Sequence, residues 1–568
     1  MTSIQYLARQ GLALRGHDSA EGNLQQLLLL RCKDRPSMFH WLERKVAFTS
    51  PLVQNEILQL FANSIVKSIA SRVADAKQFA VIVDGTQDTS RKEQLSICLR
   101  YIDSEYMPHE DFVGLYEPND TSGATIAHCI KDVLIRLNLS LSDLRGQTYD
   151  GAANMSGKYR GCQAIIAEAQ PLALFVHCGA HCVNLVSQFV AEACPTVRDA
   201  MQVINELGAL FSMSLTARSA FQRLVAESEA GHVKQIRPLC QTRWLVRVKA
   251  IEAVVTQYDA VLQCLEDLSS TGNPLAAKAS GLLQSMRKGS MLLSLAMALH
   301  IFTPLETLNR ALQSTYQTVS GMMQAVNEVK SELTAMREPS AFDSILESAV
   351  QQQQSMDLDE IVVPRQRRPP RRLTGPATSH VAETINDYYR PMYFGLLDNA
   401  VCQLTERFAG DGLVKYGQLE SLLLTGEVAD NEDLLAAYPE FNATDLAAQL
   451  RMFRRTRSIT SVESAATALR QMPPEVRAEY EDVSQLVKLL LVSPASSAQA
   501  ERSFSALRRL KTWLRSSMTE VRLNSVAVCH THQQMLDSMD LTPLCSEFVS
   551  RSDLRMSLFG RYKSDRVL

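Results

Sequence analysis

Short apolar runs in the first third of the chain predict β-strands. FAVIVD, which begins at Phe79, is a β-rich run of the kind found in buried strands, and it ends on Asp84. Two more strand-like runs follow, LSICLRYID and DFVGLYEP, and then a helical stretch capped by Thr121 or Ser122. LRGQTYD, which ends on Asp150, and ALFVHC are a fourth and a fifth run. The predicted order is β-β-β-α-β-α-β-α, with acids at the ends of the first and fourth strands.

Apolar positions at three- and four-residue spacing predict helices on both sides of these strands. Residues 1–75 are predicted helical, and one long helix begins at Ser50-Pro51, an N-cap followed by proline at the first helical position. From Ala193 to about Tyr480 the pattern is again mostly helical. The arginine- and proline-rich residues 351–379 break it, which predicts a disordered or poorly ordered loop.

The stretch Ser493–Leu514 predicts a helix that begins at Ser496 or Ser497, after Pro494. One face of this helix carries an apolar stripe formed by Phe504, Leu507, Leu510 and Leu514. Projected back by one turn, the stripe meets Glu501. A carboxylate at the buried end of an apolar face costs several kcal/mol unless a cation or a hydrogen bond holds it. Glu501 therefore needs a partner.

Composition limits the class of protein. The chain has 568 residues, of which 46% are apolar and 21% charged, as is typical of globular proteins with about two to four domains. The net charge of -3 excludes a global positive field, so any nucleic-acid surface has to be local. Twelve irregularly spaced cysteines, no secretory signal and no run of ~18 apolar residues predict an intracellular protein that does not enter a membrane.

The acids at the strand ends suggest a metal site. Carboxylates at the ends of adjacent strands lie close together and repel, and a divalent cation relieves that repulsion. Glu501 is a suitable third ligand, and two Mg²⁺ ions would suit cleavage of a phosphodiester. The alternative is that Asp84-Gly85 and Asp150-Gly151 are ordinary turns, since aspartate before glycine is common there. Asp88 is an alternative to Asp84 as the first acid of this metal site.

Five motifs carry a resemblance to a known family. They are VDGTQDTSRKEQLSICLRYID, TYDGAANMSGKYRG, HCGAHCVNLV, CQTRW and SSAQAERSFSALRRLKTWLRSSM. Together they resemble the hAT superfamily of DNA transposases, in the branch shared with zinc-finger MYM-type proteins, whose N-terminal region is a domain of unknown function. RGHDSAEGNLQQLL and TSPLVQNEI also resemble that branch. The resemblance covers most of the chain in order.

The resemblance implies an α/β fold that is mostly helical by residue count. A ribonuclease-H-like mixed sheet core would be interrupted by a large all-α insertion, between a helical N-terminal flank and a helical C-terminal dimerisation region. It implies Asp84, Asp150 and Glu501 as a catalytic DDE triad that binds Mg²⁺ or Mn²⁺ and cuts DNA. The expected boundaries are 1–75 for the flank, 76–193 for the first core part, 194–480 for the insertion, 481–540 for the C-terminal core and dimerisation region, and 541–568 for the tail.

Other motif residues have more than one interpretation. Cys178 and His181 resemble the family's C-x-x-H motif, which we expect to support the Asp150 side of the core. The neighbouring His177 and Cys182 raise zinc as an alternative, but the four ligands crowd one helix start without a second pair, so we predict no zinc. In CQTRW, Arg243 and the tryptophan beside it are predicted to contact DNA. Trp244 resembles the family's base-stacking tryptophan, although burial in a core is the commoner use of tryptophan.

Partners and location follow from the same resemblance. DNA, at transposon ends or in the genome, and a second copy of the chain are the expected partners, and the nucleus is the expected location. The apolar residues of the C-terminal region are buried either in the chain itself or against a second chain, and periodicity does not decide between them. These residues are Val521, Leu523, Val526 and Val528. The arginines between 365 and 372 fit a nuclear-import signal, a phosphate-binding patch or a solvated loop.

The sequence leaves the function open between two main hypotheses. The acid triad favours an active DNA-cleaving enzyme. Family members usually carry an N-terminal zinc finger that recognises transposon ends, and this sequence has no such ligand set. That difference favours a domesticated derivative that binds DNA or protein without catalysis. A helical scaffold unrelated to nucleic acid is disfavoured by the triad.

Overall fold

The computed structural model describes residues 1–16, 21–44, 46–227, 234–239, 247–270, 275–314, 316–364, 382–428, 431–515 and 517–560. The described residues are mostly helical and contain a five-stranded mixed sheet. The α/β fold class predicted from the sequence is confirmed at this level. By the contacts between its residues the chain forms two compact units.

The sheet contains all five predicted strands: β1 (Phe79–Gln87), β2 (Glu93–Ile102), β3 (Pro108–Tyr116), β4 (Leu144–Tyr149) and β5 (Leu174–His177). Their order across the sheet is β3-β2-β1-β4-β5. β1 pairs antiparallel with β2, and β2 with β3, whereas β4 pairs parallel with both β1 and β5. β1 differs from the prediction because it continues past Asp84 to Gln87, where it pairs with the start of β2.

Burial explains why β1 lies at the centre of the sheet. Every residue from Phe79 to Val83 is almost completely buried, although their side chains alternate between the two faces. A strand with both faces covered needs a continuous apolar run, and FAVIV provides it. The same core cluster includes side chains of the N-terminal and C-terminal helices, so residues far apart in sequence share one core.

The first unit comprises Met1–Cys178, Thr315–Ser320 and Gly410–Leu568. Its α-helices before residue 178 are Thr2–Arg9, Asn23–Asp34, Ser37–Leu42, Pro51–Ala76, Gly123–Arg136, Ala153–Ser156 and Cys162–Ala169. Those after residue 410 are Asp411–Thr425, Glu432–Ala436, Ala443–Arg455, Val462–Arg470, Pro474–Ala478, Glu481–Val492, Ala498–Leu510, Glu520–Thr531, Gln533–Asp537, Leu541–Ser550 and Asp553–Phe559. As predicted, helix Pro51–Ala76 begins at Ser50, whose hydroxyl accepts a hydrogen bond from the Val53 amide.

The second unit comprises Gly179–Ser314 and Gly321–Ala409. Its described helices are Gly179–Ala193, Pro195–Met213, Leu215–Glu227, Arg247–Thr256, Tyr258–Ser270, Ala276–Met286, Gly289–Leu312, Val319–Ala335 (which begins in the first unit), Pro339–Ser355 and Ile385–Arg407. Among the described residues, Gly289–Leu312 alone is long and apolar enough to cross a membrane by length and composition. Of its most apolar window, 67% is buried inside the fold, as in the core helix of a soluble protein, so this helix is weak evidence for a membrane span.

A buried ion pair fixes helix Glu481–Val492 to the sheet. Arg100 of β2 and Glu110 of β3 are cross-strand partners, and their side chains form a 2.6 Å ion pair that is almost fully buried. The Arg100 guanidinium also donates two hydrogen bonds, of 3.1 and 3.0 Å, to the Leu491 carbonyl at the end of the helix. Because a buried charge is costly without partners, this pair holds the chain in position just before Ser493.

Candidate active site

The first two predicted acids lie level with each other on neighbouring strands. β1 and β4 are parallel, and Ile82 pairs with Thr148. Continued by two residues on each strand, this register reaches Asp84 and Asp150. Both side chains are half-buried. The strand order therefore brings these two carboxylates to the same edge of the sheet.

The local structure distinguishes the two Asp-Gly pairs. Asp84-Gly85 is not a turn, because both residues lie within β1, where Asp84 faces Ser96 of β2. The Asp84 carboxylate accepts a 2.8 Å hydrogen bond from the Gly85 amide. Asp150 follows β4 directly and accepts a 3.2 Å bond from the Ala152 amide, as expected of an aspartate at a turn. The turn interpretation is thus wrong for Asp84 and describes the backbone at Asp150.

The helix Ala498–Leu510, called the Glu501 helix below, carries the third acid in its first turn. Its N-cap residue is Ser497, as predicted, but the Ser497 side chain does not cap the helix. The hydroxyl instead donates to the Glu501 carboxylate at 3.4 Å. Phe504, Leu507 and Leu510 are buried as predicted. The helix ends at Leu510 and not at Leu514 as predicted, because Leu514 lies in the separate 3₁₀ turn Trp513–Arg515.

The segment leading into the Glu501 helix crosses the two parallel strands closely. The Thr148 hydroxyl of β4 donates a 3.0 Å hydrogen bond to the Pro494 carbonyl. β4 has glycine at position 146, where an added Cβ would lie 3.2 Å from Pro494 Cδ. The Ser497 amide donates to Cys178 Sγ at 3.2 Å, just after β5. These contacts fix where the helix begins.

Cys178 connects two parts of the site through hydrogen bonds. Its amide donates a 2.9 Å hydrogen bond to the Tyr149 carbonyl, next to Asp150, while its thiol accepts from Ser497. The thiol is buried. His181 is half-buried on helix Gly179–Ala193. Arg243 and Trp244, and the arginines between 365 and 372, lie outside the described residues, so their predicted roles stay predictions.

The electrostatics couple the three acids. Burial, and then the negative charge of Asp150, raise the pKa of Asp84 to about 7. Burial, and then the charge of Asp84, raise the pKa of Glu501 to about 9, with a smaller contribution from Asp150. The Ser497 hydroxyl and Arg502 offset only part of this effect. Within the described chain none of the three carboxylates forms an ion pair, so their repulsion is left without a neutralising cation.

Asp88, the competitor for Asp84, has a structural role. Its buried carboxylate forms an ion pair with Lys511, whose side chain is only 3% exposed. It also accepts hydrogen bonds from the Ser90 amide (2.7 Å) and the Gln94 side chain (3.1 Å). Burial alone would raise the pKa of Asp88, but the hydrogen bonds from Lys511 and nearby amides hold it below its usual range. This carboxylate is already satisfied by protein groups.

The three acids have the right ligand type for a hard cation, but in the described part of the chain they are not arranged as a complete metal site. Carboxylate oxygens are donors that Mg²⁺ prefers, and a cation would relieve the repulsion that contributes to the raised pKa values of Asp84 and Glu501. Nevertheless, the described residues include no group of three or more His, Cys, Asp or Glu side chains arranged to hold a metal ion.

Two residues of the site were missed from the sequence. Ser503 lies on the buried side of the Glu501 helix, and its hydroxyl is hydrogen-bonded to that of Ser96 at 2.7 Å. Lys511 ends the helix and holds Asp88. A serine among the apolar positions of a stripe was the available indication for Ser503. The sequence gave no indication for Lys511, because a lysine at the end of a helix is commonly a surface residue.

Comparison with known proteins finds matches in two separate regions of the chain. Residues 1–161 match the family model DUF4371, described as the ZMYM1/FAM200, RNase-like domain. Residues 474–535 match the C-terminal dimerisation region of the hAT family. The human "52 kDa repressor of the inhibitor of the protein kinase" is 21% identical over 94% of this chain and 74% of that protein. The mouse protein of the same name is 22% identical over the same shares.

This chain is similar to hAT-related, transposase-like proteins in both regions. The first matched region contains Asp84 and Asp150, and the second contains Glu501. The hAT dimerisation region also supports self-association. Within that region, Leu523, Val526 and Val528 are buried in the chain's own core, whereas Val521 is 62% exposed. The apolar positions of helix Glu520–Thr531 are thus mostly used within one chain.

Proposed function

We propose that this hAT-related protein is a DNA-cleaving and strand-transferring enzyme that uses Asp84, Asp150 and Glu501. One observation carries the proposal. The charge of Asp150 raises the pKa of Asp84, the charges of Asp84 and Asp150 raise that of Glu501, and none of the three acids forms an ion pair in the part of the chain that the structure describes. The strand order β3-β2-β1-β4-β5, with one antiparallel meander and two parallel strands, supports a ribonuclease-H-like core around them. The matched RNase-like domain agrees with that interpretation.

The three acids would together hold Mg²⁺ or Mn²⁺. When bound, such an ion lowers the pKa of an attacking water and stabilises the negative charge that develops on the phosphate. The chain's own contribution is positioning. The central sheet fixes Asp84 and Asp150, and the contacts of Pro494, Ser497 and Ser503 fix the approach of Glu501.

DNA as the partner and the nucleus as the location belong to the same proposal. Arg243 and Trp244 would contact the DNA beside the cleaved bond, where stacking on tryptophan contributes about 1–3 kcal/mol per base. The freed 3′-hydroxyl would then attack a target phosphodiester, so one bond is broken for each bond formed. The expected self-association would bring two such sites together.

The proposal is tested by DNA cleavage in the presence of Mg²⁺ or Mn²⁺. We expect nicked or joined products from the wild-type chain, and a loss of at least about 100-fold for Asp150→Asn and Glu501→Gln, because each removes a metal ligand. Glu93→Gln, which removes a carboxylate at the start of β2, is the matched control and is expected to retain activity. Products formed equally by all four proteins would exclude the triad as the source of activity.

A second candidate is a domesticated derivative that binds DNA or protein without catalysis. It is favoured by two observations: the described residues include no group of three or more acids, histidines or cysteines arranged to hold a metal ion, and the names of both relatives contain the word "repressor". Under this function the wild-type chain binds DNA, yields no cleaved product with either metal, and is unaffected in binding by Glu501→Gln.

A further inference from the structure

Two arginine side chains converge on a single neutral oxygen near the start of helix Pro51–Ala76. The Arg522 guanidinium donates to the Asn55 side-chain oxygen at 2.5 Å, and the Arg15 guanidinium donates to the same atom at 3.0 Å. Arg15 also donates to the Pro51 carbonyl at 2.9 Å and to the Gln54 side-chain oxygen at 3.2 Å. Two cations therefore share acceptors that carry no charge.

A third arginine is fixed beside them by a glycine turn. Arg515 donates a 2.7 Å hydrogen bond to the Gly11 carbonyl. Gly11 has a φ of +67°, and an added Cβ would lie 3.0 Å from Leu510 Cδ2, so both the backbone conformation and the close packing require glycine here. The N-terminal turn thus presents its carbonyl to Arg515 in a defined position.

The described residues provide no acid that pairs with these three charges. In the described part of the chain Arg15, Arg515 and Arg522 form no ion pair, and the nearest acid on the helix, Glu56, is bound by Arg551 and Arg555. Burial, and then the charges of Arg15 and Arg515, lower the pKa of Arg522 to about 10. The first turn of helix Pro51–Ala76 has no acidic residue, so the positive end of its dipole adds to the same potential.

We propose that Arg15, Arg515 and Arg522 form a binding site for a phosphate group, supplied by the DNA backbone. Guanidinium groups match phosphate oxygens with paired hydrogen bonds, and an anion would neutralise a cluster that the protein leaves charged. Arg15 is exposed and Arg515 and Arg522 are half-buried, so all three side chains are at least partly accessible to a ligand.

The DNA source of the phosphate rests on the proposed function, and the neighbouring Trp513 supports it. Trp513 precedes Arg515 by two residues in the same 3₁₀ turn, and its side chain is 80% exposed. An exposed aromatic ring beside cations is the arrangement that binds single-stranded nucleic acid, with bases stacked on the ring and phosphates on the arginines. A free phosphate ion would use the arginines alone.

The test compares Arg15→Gln and Arg522→Gln with Arg9→Gln in the full-length chain. Arg9 pairs with Asp537, so its substitution removes the same charge from the same unit without touching the cluster. DNA affinity is measured by anisotropy with labelled single-stranded and duplex oligonucleotides over a series of salt concentrations. Thermal melting with inorganic phosphate, against chloride at equal ionic strength, measures binding of the free ion.

We expect each cluster variant to weaken DNA binding about 3- to 10-fold and to reduce the slope of log K against log salt by about 1. A phosphate-induced rise in melting temperature that is lost in the variants, with unchanged DNA binding, would support the site but assign it to a free phosphate. This phosphate-induced rise would support the site even if the wild-type chain binds no DNA. Failure of the proposed DNA function is therefore distinguished from failure of the phosphate site.

Variants that match Arg9→Gln in both measurements would overturn the site. Arg522 is half-buried, so Arg522→Gln is checked for folding by circular dichroism. If that variant does not fold, the exposed Arg15→Gln decides the outcome by itself.

Discussion

The hydroxyls of Ser503 and Ser96 are hydrogen-bonded at 2.7 Å, and Ser96 is the cross-strand neighbour of Asp84. This bond joins the Glu501 helix to β2, two residues after Glu501 and directly opposite the first acid. Both serines are buried, so the pair sets the register of the helix on the sheet where water does not compete.

Ser503→Ala is expected to lower the free energy of unfolding by about 1–2 kcal/mol, because it leaves the Ser96 hydroxyl buried with one partner fewer. Urea unfolding followed by circular dichroism measures the change. Ser505→Ala, at an exposed position of the same helix, is the control and should lie within about 0.5 kcal/mol of wild type. Equal stability of the two variants would show that the serine pair contributes nothing to the packing of the helix.

The raised pKa of Glu501 predicts how stability depends on pH in metal-free protein. The folded state holds this proton up to about pH 9, whereas the unfolded chain loses it near pH 4, so between these values the folded state binds more protons. The free energy of unfolding therefore falls as pH rises from about 4 to 9. Glu501→Gln should flatten that fall and be more stable than wild type at pH 8, by roughly 1–3 kcal/mol.

Urea titrations at several pH values measure this dependence. Glu93→Gln serves as the control and should keep the wild-type slope. A Glu501→Gln slope identical to wild type would mean that the carboxylate does not carry its proton in the folded state.

Divalent cations should reverse the destabilisation by the triad. At pH 8 we expect millimolar Mg²⁺ or Mn²⁺ to raise the melting temperature of the wild-type chain by several degrees, because an ion that binds only the folded state stabilises it. Asp84→Asn, Asp150→Asn and Glu501→Gln should each reduce that rise, which scanning fluorimetry measures. The same rise in all three variants would place any bound metal elsewhere.

The Asp88–Lys511 pair predicts a different effect for an acid only four residues after Asp84. Asp88→Asn leaves the Lys511 ammonium buried and unpaired, so we expect a loss of about 3–5 kcal/mol in the free energy of unfolding. The metal-induced rise in melting temperature should nevertheless persist, provided that the variant folds. Its loss in Asp88→Asn would indicate that Asp88, and not Asp84, belongs to the metal site.

Self-association through the matched dimerisation region should depend on Val521. Val521→Asp places a charge on its 62% exposed side chain, and we expect a shift towards monomer in light scattering coupled to size exclusion, with little change in stability. Ile135→Asp is the control, because Ile135 is 76% exposed on helix Gly123–Arg136, outside that region. Leu523→Ala should instead lower stability by about 2–5 kcal/mol, since Leu523 is in the core. An unchanged oligomer for Val521→Asp would exclude this surface.

The secondary structure around the acids was predictable because it depends on local patterns. A short apolar run rich in β-branched residues, such as FAVIV, favours a buried strand, and Ser50-Pro51 favours a helix start. All five strands and the long N-terminal helix were therefore predicted from neighbouring residues alone. The positions of Asp150 at the end of β4 and of Glu501 in the first turn of its helix followed as well, whereas Asp84 lies inside β1 and not at its end. Trp244 and Arg243 stay predictions, because they lie outside the described residues.

What the sequence did not decide depends on contacts between residues far apart in the chain. Whether Asp84 or Asp88 is left without a cation was settled by Lys511, more than 400 positions away, and the site of the Glu501 helix by Ser96 and Cys178. The same holds for Leu523 and Val521, whose burial depends on which helix packs beside them. Spacing alone determines which residues share a face, whereas the partner of that face, and hence the pKa of an acid on it, is set only when the chain folds.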